Sequence, residues 1–321
     1  MKAVVRDKYG SPDVLRFEDI PKPIPADDEV LVQVRAASIN TADLDHLRGR
    51  PRIARGNLRK PRARVLGFDM AGAVEAVGRD VTRFGPGDDV WADLFSLGGG
   101  AFAEYVCVPQ TALVPKPRAI AFEVGATVPH SGLLALQALR SRGGVRPDQR
   151  VLVNGGGGCV GPFAIQLAKS FGAHVTGVDV TGKLDLMRAA GADQVIDFTQ
   201  ESFTKRKGGY DFIVDIAANR WVLANRQALA PRGVYVQIAR SLSGFFGAVA
   251  IGGLVTLVDD RRMGIFMWEP NRHRDLDFMA GLIEEGSLQP IIDRRFPLTS
   301  VPEALHYQEK GAARGKLVVL L

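Results

Sequence analysis

Six residues from Gly156 to Gly161 form the segment of this sequence with the clearest chemical meaning. They read Gly-Gly-Gly-Cys-Val-Gly, follow the apolar run VLVN, and precede PFAIQLAKSFGA, whose apolar residues have helical spacing. In such a G-x-G-x-x-G segment, glycines permit a tight turn, let the backbone approach a pyrophosphate, and allow a helix to pack closely on a strand. The N–H groups at the helix start then face the phosphates. The residues expected to bind a dinucleotide here are Gly156, Gly158, Cys159, Val160 and Gly161.

An acidic residue, Asp179, ends the next apolar run, HVTGVD. A carboxylate at this place accepts hydrogen bonds from the ribose hydroxyls of NAD(H) and repels the 2′-phosphate of NADP(H). Lys183 offsets part of that repulsion, and Thr181 lies between the two charges. Alternatively, Asp179 is only the N-cap of a helix that begins near Thr181. We expect NAD(P)H as the cofactor, with a slight preference for NADH.

The chain contains two cysteines, Cys107 and Cys159, and no Cys-x-x-Cys pair. Two cysteines cannot supply a framework of disulfides or a zinc site of four cysteines, and such usage is typical of a reducing compartment. The first residues, MKAVVRDKYG, lack the apolar core of a secretory signal. We expect a cytoplasmic protein.

Positive charge is concentrated in one short segment. The net charge is +6, and eight of the seventeen residues from Arg48 to Arg64 are Arg or Lys, with none acidic. Such a run is either a solvated basic loop or an electropositive rim that attracts anionic or carrier-linked substrates. Because the run lacks aromatic residues for base stacking, we expect no nucleic-acid partner.

The longest apolar stretch is Leu242–Val258, which contains four glycines. It is slightly short for a bilayer span. We interpret it as a buried or interface helix, or as a flap over the substrate site. Contact with a membrane surface is the less favoured alternative.

Two kinds of secondary structure must position these residues. Residues 1–121 contain short β-like runs separated by Pro and Gly, which predicts an antiparallel, partly closed barrel. From residue 122, strand-like and helical runs alternate, which predicts a parallel, doubly wound sheet. The tail from Ser287 again resembles the first part. We therefore expect an α/β chain in which 1–121 and 287–321 form a substrate domain and 122–286 a dinucleotide-binding domain.

Several motifs together resemble the medium-chain dehydrogenase/reductase superfamily, and within it the zinc-free quinone oxidoreductase-like or enoyl reductase-like branch. They extend over essentially the whole chain and include AASINTADLDHLRG (36–49), GFDMAGAVEAVG (67–78), FGPGDDVWAD (84–93), GGGAFAEYVCVP (98–109) and the dinucleotide segment. The resemblance implies a GroES-like, partly open β-barrel domain, a Rossmann domain, a cleft between them and a homodimer.

The resemblance also implies a site without metal. Where zinc-dependent relatives carry a catalytic Cys, this chain has Asn40, and where they carry Gly-His-Glu it has Gly67-Phe68-Asp69. A catalytic zinc needs three N, S or O ligands and an open position, and the sequence offers no such set. We expect no metal ion in this protein.

Four residues are candidates for catalysis. Asn40 and Asp43 match the family's Asn-Pro-x-x-Asp turn, which implies that Asn40 faces the nicotinamide and the substrate carbonyl and that Asp43 holds the turn. A proton-donating Tyr of many relatives is replaced by Pro51-Arg52, which leaves water, His46 or an arginine-ordered water to donate the proton. His130 is a further donor because imidazole titrates near neutrality, although a hydrogen-bonded structural histidine is the favoured alternative.

Further departures from the family lie along the expected cofactor pocket. Leu134 replaces a Thr that commonly lines the nicotinamide pocket, and Phe198 replaces a Tyr often placed near the 2′-phosphate. Ala217 lies in an apolar run where the branch is usually more polar, and we add Ile238 to the same pocket. The change at Phe198 strengthens the preference for NADH.

These observations predict a zinc-independent reductase that transfers hydride from NAD(P)H to a small apolar quinone, enone or other α,β-unsaturated carbonyl compound. The protein supplies orientation, exclusion of water and a few hydrogen bonds. The altered residues at positions 52, 134 and 216 leave a second reading open, a redox-neutral biosynthetic enzyme or a dinucleotide-binding sensor on the same scaffold. A third and least favoured reading is an RNA-associated protein that uses the basic run.

Overall fold

The computed structural model describes residues 1–50, 60–218, 222–238, 260–266 and 268–321. Three features considered above lie outside these residues: Pro51-Arg52, the central part of the basic run and the apolar stretch Leu242–Val258. None of the described helices has the length and apolar composition needed to cross a membrane.

The strands are, in chain order, β1 (Lys2–Val5), β2 (Arg16–Asp19), β3 (Glu29–Ile39), β4 (Asp69–Val77), β5 (Asp89–Asp93), β6 (Tyr105–Pro109), β7 (Val114–Pro115), β8 (Arg150–Asn154), β9 (His174–Asp179), β10 (Gln194–Asp197), β11 (Tyr210–Asp215), β12 (Leu229–Gln237), β13 (Arg262–Ile265), β14 (Ile292–Pro297) and β15 (Lys316–Leu320). The helices are α1 (Thr41–Leu47), α2 (Phe122–Gly125), α3 (Ser131–Arg140), α4 (Gly161–Ser170), α5 (Leu184–Ala189), α6 (Val222–Ala228), α7 (His273–Glu284) and α8 (Val301–Glu309).

The chain divides into two compact units. Unit 1 consists of residues 1–131 and 269–321, and unit 2 of residues 132–268. The sequence placed the divisions at 121 and 287 instead, so the segment 269–286 lies in unit 1 rather than in the dinucleotide-binding part. One reason is Asn271, whose side chain accepts a hydrogen bond from the backbone N–H of Asp93 and donates one to its carbonyl, both at 2.7 Å.

Unit 1 is built on a sheet of order β14-β15-β3-β4-β5-β7, with β6 also paired to β3. Its pairs are antiparallel except β14 with β15. Apolar side chains of β3, β4, β5, β15 and α8 form one core. Because side chains alternate along a strand, Leu317 and Val319 of β15 enter this core while Lys316 points to the other face. The C-terminal strand therefore carries a lysine into the interior.

Unit 2 contains a six-stranded parallel sheet of order β10-β9-β8-β11-β12-β13. The buried strands are rich in β-branched residues, as strands covered on both faces are. The order reverses between β8 and β11, and ligands of such sheets bind beyond the carboxyl ends of the strands at this switch point. The predicted α/β fold class with a doubly wound sheet is confirmed.

Candidate functional site

The glycine-rich segment follows β8 and leads into α4, where the sequence predicts a strand-to-helix turn. The N–H groups of Gly155 and Gly156 donate to the Val178 carbonyl, at 2.9 and 3.0 Å, and so tie the turn to β9. A Cβ on Gly161 would overlap the backbone of Gly155 and Gly156, so this close approach requires glycine. Within the described part of the chain, the N–H groups of Val160 and Gly161 donate to no acceptor. The start of α4 can therefore bind an anion.

Asp179, at the end of β9, is fixed against this turn. Its Oδ2 accepts the N–H of Gly157 and its Oδ1 that of Val180, both at 2.9 Å. The short 3₁₀ turn that follows, Thr181–Lys183, has Val180 rather than Asp179 as its N-cap. Lys183 lies against Gly157, since a Cβ on that glycine would meet the lysine side chain. The turn thus has a carboxylate and an ammonium group beside it.

A second carboxylate, Asp197, organises the neighbouring loop. It accepts hydrogen bonds from the hydroxyls of Thr181 and Thr199 and from the Gln200 amide, and these contacts lower the pKa of Asp197. Phe198 follows directly, donates its N–H to the Asp179 carbonyl and leaves its ring partly exposed. Sequence reasoning missed Asp197, whose Asp-x-Thr pattern is typical of a local side-chain turn.

The switch point of the sheet holds a buried polar contact between neighbouring strands. Asn154 ends β8 and donates its amide to Asp215 at the end of β11, at 2.7 Å. Asp215 also accepts the hydroxyl of Tyr235, at 2.7 Å, and burial together with this contact raises the pKa of Tyr235. The Ala217 N–H donates to the Asn154 carbonyl and the Ile238 N–H to the Asp215 carbonyl. Two predicted cofactor residues thus lie where the strand order reverses.

Leu134 lies on α3, the helix that begins at Ser131. Its side chain is half-buried, whereas its neighbours Leu133 and Ala135 are fully buried. An apolar side chain is therefore presented at the one partly open position within a buried stretch of helix.

In unit 1, Asn40 is the N-cap of α1 and is buried. Its Oδ1 accepts the ammonium group of Lys316 at 2.6 Å and the hydroxyl of Ser131 at 3.0 Å. Its Nδ2 donates to Asp69 at 2.9 Å. The amide nitrogen carries two hydrogens, and the described residues offer an acceptor for one of them. No local sequence pattern predicts that Lys316 belongs to this cluster.

Asp69 is the acceptor that holds this cluster together. Its Oδ2 accepts hydrogen bonds from Asn40, from the Ser38 hydroxyl at 2.9 Å and from Lys316 at 3.0 Å, and its Oδ1 accepts the N–H of His130 at 2.7 Å. The side chains of Asp69 and Lys316 are completely buried. A buried carboxylate and ammonium are tolerated only when paired and hydrogen-bonded, and both conditions are met.

His130 forms a second buried pair. Its Nδ1 lies 2.8 Å from Oδ2 of Asp93. Burial by itself lowers the pKa of His130, but attraction to Asp93 and to Asp69 outweighs it, so the pKa is raised. Burial raises the pKa of Asp93 against the effect of the imidazole. The two side chains therefore form a proton-holding pair, and the sequence alone had not pointed to Asp93.

Asp43 is fully buried at the third position of α1 and completes a capping box with Asn40. Its Oδ2 accepts the Asn40 N–H at 2.8 Å and its Oδ1 the Gly67 N–H at 3.2 Å. Burial raises the pKa of this carboxyl to about 7. These contacts fit the expected role of holding the turn.

His46 is a half-buried residue of the same helix and lies among aromatic rings. Its centroid is 4.8 Å from that of Phe68 and 5.0 Å from that of Phe95, and the Phe95 ring is 5.7 Å from that of His130. Burial lowers the pKa of His46, with repulsion from Arg6 and His130 adding to the effect. The two histidines thus share an aromatic neighbour but differ in the direction of their pKa shifts.

Within the described ranges, no three His, Cys, Asp or Glu side chains are arranged to hold a metal ion. Asn40, which stands where zinc-dependent relatives carry the catalytic Cys, and Asp69, the last residue of Gly67-Phe68-Asp69, both contact the Lys316 ammonium. A positive charge at this distance opposes the binding of a divalent cation.

Two family models match the chain. Residues 26–118 match the alcohol dehydrogenase GroES-like domain, and residues 190–319 match the zinc-binding dehydrogenase family. The first of these matches covers β3 to β7, and with it most of the sheet of unit 1.

Three known proteins resemble the chain over nearly its whole length. It is 34% identical to the mitochondrial NAD(P)H oxidoreductase RTN4IP1 of Bos taurus, over 99% of this chain and 89% of that protein. It is 32% identical to the 2-methylene-furan-3-one reductase of Solanum lycopersicum, over 99% and 79%. Among solved structures, the quinone oxidoreductase from Coxiella burnetii superposes with a TM-score of 0.89 at 30% identity, over 100% of this chain and 99% of that one.

Proposed function

The chain belongs to the medium-chain dehydrogenase/reductase superfamily, in its quinone oxidoreductase-like branch, and we propose that it is a zinc-independent reductase of quinones, enones or other α,β-unsaturated carbonyl compounds that uses NAD(P)H. The observation that carries the proposal is the glycine-rich turn at the switch point of the sheet, where the N–H groups of Val160 and Gly161 donate to no acceptor among the described residues. The substrate classes are those named for the similar quinone and furanone reductases.

The residues around the turn fit a dinucleotide. The start of α4 supplies N–H groups to a pyrophosphate, and Asp179 supplies carboxylate oxygens to ribose hydroxyls. When bound, the reduced nicotinamide supplies the hydride. The fixed carboxylate of Asp179 opposes a 2′-phosphate, while Lys183 beside it compensates in part. We therefore propose NADH as the preferred cofactor.

Unit 1 supplies the polar groups for the acceptor. The second Nδ2 hydrogen of Asn40 is the donor suited to a substrate carbonyl, because Lys316 and Ser131 hold the opposite end of the amide. A donor of this kind stabilises negative charge that develops on the carbonyl oxygen. The charge of Lys316 supports a site without zinc, because an ammonium group within 3.0 Å of both Asn40 and Asp69 repels a divalent cation.

His130 is the proposed proton donor, with Asp93 holding it in the charged form. A general acid must carry its proton when the substrate is bound, and attraction to Asp93 and Asp69 raises the pKa of His130 and so favours the protonated imidazole. His46 suits the role less well because its pKa is lowered. In this proposal, the residue directly before α3 takes the role of the Tyr that Pro51-Arg52 replaces.

Three further features belong to the same proposal. We expect a substrate with a small apolar body. It carries an anionic group or a carrier if the basic run lines the entrance to the site. We also expect a homodimer. We also propose a cytoplasmic location, on the ground that neither Cys107 nor Cys159 forms a disulfide.

The proposal is tested by mixing the full chain with NADH or NADPH and a panel of quinones, enones and 2-enoyl thioesters. Depletion of the reduced-nicotinamide absorbance, matched by reduced product, is the expected result. Gly161→Ala should abolish turnover because its Cβ enters the turn, whereas Gly281→Ala, on α7 in open space, should not. Tight dinucleotide binding with no hydride transfer to any acceptor would contradict the reductase and favour the redox-neutral reading.

A further inference from the structure

A second concave surface of unit 2 lies where the parallel strands begin. Its volume is about 320 Å³, and its lining includes three arginines, Arg146, Arg232 and Arg262. Arg262 is the first residue of β13 and pairs with Val234 of β12, which also lines the cavity. We call this cavity the arginine pocket.

The arginine pocket is separate from the glycine-rich turn. The pocket residues Gln149 and Asp211 lie beside the starts of β8 and β11, whereas the turn follows the end of β8. Five residues of extended strand span roughly 15 Å. A ligand in the pocket therefore does not occupy the site proposed for the dinucleotide.

The charge of the pocket is strongly positive because its one lining carboxylate is already engaged. Asp211 accepts a forked pair of hydrogen bonds from Arg150, at 3.1 Å from Nε and 3.0 Å from Nη2, and a third from the Arg150 N–H at 2.9 Å. For the guanidinium groups of Arg146, Arg232 and Arg262, the described residues provide no carboxylate within salt-bridge distance. Three like charges around one cavity repel each other unless an anion is bound between them.

Arg232 is held in a conformation that disfavours it. Its φ is +59°, in the left-handed region, where a side chain costs about 1 kcal/mol relative to glycine. The residue is exposed, so burial of its side chain does not offset this cost. The chain therefore carries an arginine where glycine would be more stable, and we take this strain as support for a use of its charge.

We propose that the arginine pocket binds the phosphate groups of a small polyphosphorylated ligand. Guanidinium groups bind phosphate oxygens through paired N–H donors, and three of them match a ligand with two or more negative charges. The volume lies at the lower end of the range for small-molecule sites. This binding does not depend on the reductase activity proposed above.

The test is calorimetric titration of inorganic tripolyphosphate into the full chain, with and without saturating NADH, because a polyphosphate also fits the glycine-rich turn. One site should persist with NADH present, and Arg232→Gly and Arg262→Gln should each weaken it at least about tenfold. Arg188→Gln is the matched control. Arg188 is an exposed arginine of α5 that pairs with Asp185, and neither residue lines the arginine pocket. Loss of all binding on addition of NADH, or equal affinity in the wild type and both pocket variants, overturns the proposal.

Thermal unfolding separates loss of the site from loss of the fold. Arg232→Gly should unfold at a higher temperature than the wild type without ligand, because glycine accepts the positive φ. The same variant should lose the stabilisation that tripolyphosphate gives the wild type in the presence of NADH. If single-stranded RNA displaces bound tripolyphosphate while pyrophosphate does not, the ligand is a nucleic acid and the proposal of a small ligand is wrong.

Discussion

The ammonium group of Lys316 lies 2.6 Å from Oδ1 of Asn40, and this contact fixes which end of the amide is the oxygen. An asparagine side chain can flip by 180° and exchange its Oδ1 and Nδ2 at little cost in free energy when its neighbours do not distinguish oxygen from nitrogen. Here Lys316 donates to one end and Asp69 accepts from the other, so only one orientation satisfies both. The donor proposed to face the substrate is therefore oriented before the substrate binds.

The first prediction concerns Lys316→Met. Removing the ammonium leaves Asp69 buried without its ion pair, which costs about 3–5 kcal/mol of stability, and leaves Ser131 as the one donor of the cluster to the Asn40 Oδ1. At a temperature where the variant is folded, kcat should fall on the order of 10²-fold, while the Kd for NADH, whose residues lie in unit 2, should stay unchanged. Lys316→Arg, which keeps the charge, should recover part of kcat.

The matched control is Lys116→Met. Lys116 is another buried lysine of unit 1, whose ammonium donates to the Ile120 carbonyl at 2.6 Å and pairs with Asp89 at 3.2 Å. Its loss should destabilise unit 1 without changing kcat. Equal effects of the two substitutions on kcat would show that Lys316 acts through stability alone.

The second prediction concerns His130 and pH. The proposed acid is the protonated imidazole, so kcat/KM should fall as pH rises through its pKa, which the pair with Asp93 holds above the ordinary value of about 6.5. Asp93→Asn should move this decline to lower pH, because burial then acts on the imidazole without the compensating carboxylate. His130→Gln should lower kcat by about 10²-fold or more and remove the decline.

His306→Gln serves as the comparison, because that histidine is partly exposed on α8 beside Asp13. Its pH–rate profile should match that of the wild type. A profile of Asp93→Asn that coincides with the wild-type profile would exclude His130 as the proton donor.

The third prediction concerns the stability contributed by Asp43. Its pKa is about 7 in the folded protein and about 3.9 in an unfolded chain, so the folded state binds the proton more tightly. This contribution is complete below about pH 4 and is lost as pH rises through 7. In urea unfolding, the stability difference between wild type and Asp43→Asn should therefore shrink from pH 5 to pH 8.

The asparagine variant should be less stable at the lower pH by about 1–2 kcal/mol or more, because an amide cannot accept both N–H groups of the capping arrangement. Asp185 lies on the exposed face of α5 and serves as the control. The stability difference between wild type and Asp185→Asn should not shrink from pH 5 to pH 8. A constant difference for Asp43→Asn across this range would mean that the buried carboxyl is already ionised at pH 5.

The fourth prediction concerns cofactor choice. Asp179→Asn keeps an oxygen for the Gly157 N–H but removes the negative charge. The ratio of kcat/KM with NADPH to that with NADH should rise by about tenfold or more. Lys183→Met should move the ratio in the opposite direction. If Asp179→Asn leaves the ratio unchanged, the carboxylate does not contact the adenosine ribose.

The glycine-rich turn could be predicted from the sequence because its determinants are local. Gly161 must approach the preceding backbone closely, and the strand before it and the helix after it have clear periodicity. The alternation of strands and helices likewise predicts the parallel sheet. The catalytic roles assigned to Asn40, Asp43, His46 and His130 remain predictions, but their positions in unit 1 are now known.

The cluster around Asn40 could not be predicted in the same way. Lys316 contacts Asn40 across 276 positions of sequence, and no spacing rule connects residues so far apart. A lysine at the start of the apolar run KLVVLL reads as a solvated strand end. The roles of Asp69 and Asp93 could not be predicted either. A buried carboxylate is recognised by its hydrogen-bond donors, and these donors come from several different elements.

The strand β15 lies between β14 and β3, so the sheet of unit 1 joins residues 36–39 to 317–320. The whole of unit 2 is inserted between these two partners in the sequence. During synthesis, unit 2 can gain its contacts while β3 still lacks a neighbour on that side. A chain that stops before Lys316 would keep the residues of its glycine-rich turn, yet it would lose both the cation of the Asn40 cluster and the strand that joins β14 to β3.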